Sequence, residues 1–225
     1  MTGTPARSTN RRWTDHDTAL WHACDVDQKL RTGRRSDLPL VAVPFALSLG
    51  DQREQIVASG RFEMATWEAV GDGSYMHKSG FFLGAGGPAL ALGAAFLGAN
   101  AIGNAARKNK ARRDQEPRWV WGTKGDLHVG THGFYLLTPA ALLTWGWHAI
   151  DSAQITAPAT LWIQGRSTTG PTSLMIRSIW AELAFLLWSR ARNPRHPQLI
   201  DRSWLPAGWA AWARTHGEIP GVGAH

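Results

Sequence analysis

Nine histidines, one cysteine and 17 carboxylates are the side chains in this sequence with metal-binding or acid-base chemistry. Their spacing decides whether they could act together. His128 and His132 stand four apart in or near a strand-like stretch, and His16 and His22 flank the expected first helix near Cys24. Either group would need a further ligand at a zinc-type spacing, and neither has one. Cys24 is the only cysteine, which excludes an internal disulfide and a cysteine-rich zinc module and fits a reducing compartment. No Ser/His/Asp, Cys/His or paired-carboxylate set occurs in a motif context. Gly84-Ala85-Gly86-Gly87 lacks the Lys-Ser/Thr that completes a phosphate loop. The expectation is a protein that is not an enzyme, with no cofactor and no metal.

The chemistry left is that of charged and apolar surfaces. The chain carries a formal net charge of +7 and a pI near 10.3, which favours an acidic partner. Basic residues gather at Arg7, Arg11 and Arg12, at Arg31, Arg34 and Arg35, and at Arg107, Lys108, Lys110, Arg112, Arg113 and Arg118. The last group directly follows an uncharged Gly/Ala-rich stretch, residues 79–106, an arrangement that anionic bilayer surfaces attract. Those six residues are the candidate headgroup-binding set, and the plainer reading is a solvated basic surface.

As one helix at about 1.5 Å per residue, the stretch would exceed a hydrocarbon core of roughly 30 Å. Its composition is weaker, because glycines, Asn100 and Asn104 dilute Phe81, Phe82, Leu83, Leu90, Leu92, Phe96, Leu97 and Ile102. Ala91, Ala95, Ala99 and Gly103 form a small-residue stripe at four-residue spacing that lets another helix, or the protein's own sheet, approach closely. With Phe81 and Phe82 they are the candidate membrane or helix contacts.

Around this stretch the sequence reads as short strands. Thr14 caps an expected helix over 15–30, followed by a Pro-broken extended segment over 36–49. Strands are expected at 56–62, 64–70 and 74–78, then at 119–121, 126–130, 134–137, 142–147, 153–156, 160–164 and 173–177, with Thr123-Lys124-Gly125 as a separator. An amphipathic helix capped by Ser178 is expected over 179–191, with Trp180, Ala184, Leu187, Trp188 and Ala191 on its apolar face. A short helix is expected within 207–215. If the strands before and after residues 79–106 share one sheet, a single membrane span between them is excluded. The stretch then dips into the bilayer and returns, bending at Gly86-Gly87-Pro88, or stays outside it packed on protein.

This order of elements resembles the bacterial pleckstrin-homology-like (PH-like) domains, and in particular an actinobacterial group of such proteins. The resemblance rests on Ser79-Gly80-Phe81-Phe82-Leu83-Gly84, Ile102-Gly103-Asn104-Ala105-Ala106-Arg107-Lys108, Glu116-Pro117-Arg118-Trp119, Gly125-Asp126-Leu127-His128-Val129, Leu142-Leu143-Thr144-Trp145 and the strand-to-helix passage 174–188. It covers about 55–192. It implies an α+β, mainly β fold: a bent seven-stranded antiparallel barrel closed by a C-terminal helix, here with a Gly/Ala-rich helical insertion, of a kind used to bind lipids or proteins. The turn Gly130-Thr131-His132-Gly133 departs from the basic turn usual there, so a phosphoinositide-type pocket does not carry over to it.

The expected division is a basic tail, helix and extended segment over 1–50, a PH-like domain over 51–195 with its insertion at 79–117, and a Trp-rich tail over 196–225. Trp119, Trp145, Trp162, Trp180 and Trp188 are assigned to the core, and Trp204, Trp209 and Trp212 are the interface candidates, with packing onto the barrel as the alternative. Residues 1–12 are polar and basic with no apolar run behind them, so the expectation is a cytoplasmic, membrane-associated chain. Its expected partner is an anionic membrane surface or a membrane protein. A soluble scaffold that oligomerises through the Ala91 to Gly103 stripe is the second reading. Nucleic acid is third, since no recognition motif accompanies the charge; no small-molecule substrate is evident.

Overall fold

A computed structural model describes residues 11–50, 53–68, 118–167 and 170–221. Helix α1, Asp15–Arg31, starts where expected: the Thr14 hydroxyl accepts from the Asp17 amide while the Asp17 carboxylate accepts from the Thr14 amide, a reciprocal capping box. It ends at Gly33, whose φ of +74° suits a residue without a Cβ. Leu20, Ala23, Cys24 and Val26 lie on its buried side.

Seven strands follow: β1 Ile56–Glu68, β2 Arg118–Gly130, β3 Gly133–Leu137, β4 Leu142–Gly146, β5 Ile150–Ala157, β6 Thr160–Ser167 and β7 Gly170–Arg177. They form one antiparallel sheet in the order β4-β3-β2-β1-β7-β6-β5. The fold is therefore α+β and mainly β. The first and last strands of the series meet in the middle, because β1 pairs with β2 along its length and with β7 over Glu63 to Thr66.

Two expectations are corrected here. The stretches read as separate strands before and after residue 63 are one strand, β1, and those read as 119–121 and 126–130 are one strand, β2. Thr123-Lys124-Gly125 is no turn: these residues pair with Met64, Glu63 and Phe62, and the register slips at Gly122, a bulge. Gly125 serves close approach instead, since a Cβ there would stand 2.0 Å from the Leu137 carbonyl oxygen. The sheet is also not closed on itself, as β4 and β5 are its two edges. The chain passes between them through a 3₁₀ turn, Trp147–Ala149, whose indole Nε1 donates to the Thr131 carbonyl at 3.1 Å.

Helix α2, Ala181–Arg192, packs against β5, β6, β3 and α1. The sequence implied one apolar face, yet every residue from Ala181 to Ser189 is buried, so the helix is enclosed on all sides. Ser178 is not its cap. The cap position is Trp180, and Ser178 takes the Ala181 amide on its carbonyl instead. Two short helices close the chain, α3 Pro197–Ile200 and α4 Trp209–Arg214. One apolar cluster draws Leu20 and Val26 from α1, Leu127, Phe134 and Ile163 from the sheet, Phe185 and Trp188 from α2, and Trp204, Trp209 and Ile219 from the tail.

Candidate functional site

Of the residues singled out for headgroup or helix contact, Phe81, Phe82, Ala91, Ala95, Ala99, Gly103, Arg107, Lys108, Lys110, Arg112 and Arg113 lie outside the described residues. Arg118 is described, and it marks where the chain comes back. Glu68 pairs with Arg118 and Trp67 with Trp119, so both ends of the connection 69–117 leave the sheet side by side. Among the described residues no helix is long and apolar enough to cross a membrane.

The two strands reach this point as an arm. β7 pairs with β1 only as far as Thr66, and β3 pairs with β2 only from Asp126 to Val129, so among the described residues the ladder from Trp67 to Glu68 has no other strand beside it. Trp67 is 53% exposed, with its ring 5.3 Å from that of Trp119 in an edge-on pair. Trp121 lies under the Arg177 guanidinium at 3.8 Å, a cation-π contact, and Arg118 is exposed at the tip. The tip therefore presents two indoles and basic side chains together.

This changes the assignment of the tryptophans. Trp204 and Trp209, for which interface and packing were both open, are core at 4% and 1% exposure, in the cluster that α1 shares with the tail. Trp119, assigned to the core, sits only half-buried on the arm, while Trp145 and Trp188 are buried as expected. Sequence reasoning passed over Trp67. The available signal was its position: Trp67 and Trp119 flank the insertion symmetrically, as interfacial aromatics flank a membrane segment.

The histidines are held apart. His128 Nδ1 shares a 2.7 Å hydrogen bond with Ser59 Oγ, whereas His132 bonds Thr131 Oγ1 in the β2–β3 turn. Burial lowers the His128 pKa, keeping the ring neutral, and its Nε2 has no partner among the described residues. His22 Nε2 faces the Val57 carbonyl, and His16 Nε2 meets Glu182 at 3.0 Å. Burial pushes the Cys24 thiol up to about 12, which makes it inert. Among the described residues no three His, Cys, Asp or Glu side chains gather as a metal site.

Ser59, His128 and Tyr135 form a row across β1, β2 and β3 on the face away from α2, roofed by the extended segment 38–50. Phe45 packs 5.1 Å from both His128 and Tyr135. Tyr135 fastens the roof: its hydroxyl donates to Glu54 Oε1 at 2.7 Å and accepts from the Ser48 and Leu49 amides, while Glu54 Oε2 accepts from Leu49 and Gly50. Burial, aided by Glu54, raises the Tyr135 pKa against the pull of the Ser48 and Leu49 amides. Tyr135→Phe strands buried partners and is expected to cost about 1–3 kcal/mol in urea unfolding, with faster amide exchange at Ser48 and Leu49.

No protein-family model, curated protein or solved structure matches this chain. What the fold defines is a mainly β, α+β module whose sheet is interrupted by one long connection.

Proposed function

We propose that the chain is a non-enzymatic, PH-like module of the cytoplasmic face of a membrane, which attaches to anionic lipid headgroups through its insertion. The carrying observation is the pairing of Glu68 with Arg118 beneath the exposed Trp67. A connection that leaves and re-enters one ladder crosses a bilayer an even number of times or not at all. Folded double, the uncharged residues 79–106 would give each leg about 14 residues, or about 21 Å even if wholly helical. That is short of a hydrocarbon core of roughly 30 Å. The insertion therefore dips into one leaflet, with the arm's indoles at headgroup depth and Arg107, Lys108, Lys110, Arg112, Arg113 and Arg118 facing the phosphates.

The PH-like reading draws on the strand order, in which a long first strand serves both halves of the sheet, and on the enclosed helix after β7. The sheet itself is open, with β4 and β5 as its edges, so the barrel remains part of the proposal. Co-sedimentation with vesicles tests the proposal: the chain should pellet with anionic vesicles, stay in solution with zwitterionic ones, and be released by salt. Partitioning that ignores lipid charge would overturn it in favour of a purely apolar contact, and a soluble oligomer that pellets with neither would favour the scaffold reading.

A further inference from the structure

Three arginines converge on a small polar pocket far along the chain from the insertion. The pocket, about 150 Å³, lies between α1, α2 and the tail, with Asp27, Arg31, Arg190, Arg202 and Gly221 in its wall. At about 30 Å³ per water it has room for roughly five waters, the scale of one small oxyanion. Among the described residues Asp27 is the only carboxylate in its wall. Its Oδ1 takes Arg190 Nη2 at 2.6 Å and Nε at 2.8 Å, and its Oδ2 takes Arg31 Nε at 3.2 Å. Two guanidinium groups thus share one negative charge and the third, Arg202, meets no carboxylate among the described residues, leaving two positive charges over.

The backbone adds an independent observation. Arg202 has a φ of +61°, one of two non-glycine residues in the left-handed region among the described residues. An L side chain is strained there and glycine is not. Strain of this kind persists where the surrounding structure holds a side chain in place. Here the held group is a guanidinium: Arg202 Nη2 donates to the Gly221 carbonyl at 3.2 Å, the same oxygen that accepts from Arg31 Nη2 at 3.1 Å. Among the described residues no carboxylate pairs with Arg202. Each guanidinium offers five donors, most of them still available, in the planar fork that matches phosphate oxygens.

We propose that Arg31, Arg190 and Arg202 form a binding pocket for a phosphate-type dianion, the terminal phosphate of a soluble monoester or of a lipid headgroup. The two surplus charges match the dianion, and Asp27 bridges Arg31 and Arg190 and so fixes their guanidinium groups in the pocket wall. The proposal does not depend on how the insertion behaves.

Thermal unfolding of the full chain in sodium phosphate and in sodium chloride of equal ionic strength tests it. Phosphate should raise Tm saturably beyond chloride. Arg202→Gly relieves the left-handed strain, so the anion-free protein should keep its Tm, while its affinity for phosphate falls tenfold or more. Arg31→Gln should weaken phosphate as well, which guards against a folding defect in the first variant. Vesicles carrying phosphatidic acid form the second arm. Binding to them that Arg202→Gly abolishes, with no response to soluble phosphate, assigns the lipid source; a response to soluble phosphate assigns the free monoester. A chain that responds to neither, or variants that respond as fully as the parent, would overturn the pocket.

Discussion

Trp209→Ala is expected to destabilise the chain by about 3–5 kcal/mol, the range for emptying a buried aromatic site. Trp209 is 1% exposed and the largest fully buried side chain among the described residues. Its indole Nε1 also donates to Asp17 Oδ1 at 2.8 Å. Asp17, itself wholly buried, accepts from the Thr14 amide and hydroxyl and pairs with Arg11. One carboxylate thus ties the capping box of α1 to the tail, and losing the indole cuts that tie. Urea unfolding of Trp209→Ala, Asp17→Asn and the double variant should give a total loss smaller than the sum of the single losses, because both remove the same bond.

The same cluster sets an acid limit. Burial pushes the Asp17 pKa up, but the Thr14 hydroxyl and amide, the Trp209 indole and Arg11 outweigh it and hold it below the usual carboxylate range. A carboxyl depressed in the folded state contributes stability that is present above its unfolded value and lost as pH falls through the folded one. Stability should therefore fall below about pH 4. In Trp209→Ala, where one depressing donor is gone, the folded value lies closer to the unfolded one, so this loss should be smaller and end at higher pH.

The second large effect concerns the membrane. Replacing Arg107, Lys108, Lys110, Arg112 and Arg113 with glutamine is expected to weaken binding to anionic vesicles by about a hundredfold or more. Each basic side chain near such a surface contributes about 1 kcal/mol, so the five together contribute up to about 5 kcal/mol, and about 3 kcal/mol already corresponds to a hundredfold. Unfolding midpoints should not move, since the substituted residues lie in the connection beyond Glu68 and Arg118, the last pair of the ladder among the described residues. Vesicle titrations of the two proteins at one salt concentration measure the difference.

Much of the strand series was readable because short apolar runs at 134–137, 160–164 and 173–177 are set off by Thr138-Pro139, Pro158 and Gly165 to Pro171. Glycine misled where it served packing rather than turning. Gly125 looked like a separator because a sequence shows no Leu137 carbonyl pressing on its Cα. The tail misled for a related reason. Trp204 and Trp209 stand among Pro206 and Gly208, which reads as a surface segment, and only the tertiary fold brings α1 over them. The arginine pocket was illegible in the sequence, since Arg31, Arg190 and Arg202 are joined by packing alone.

The central claim is that an insertion rooted in one strand ladder attaches the module to anionic lipid. Co-sedimentation of the full chain and of a chain whose residues 79–117 are replaced by a short turn tests it most directly, on anionic and zwitterionic vesicles at low and high salt. The account predicts that the full chain pellets only with anionic vesicles at low salt and that the shortened chain stays folded and in solution throughout. Equal pelleting of both chains, or pelleting indifferent to lipid charge and salt, would contradict it.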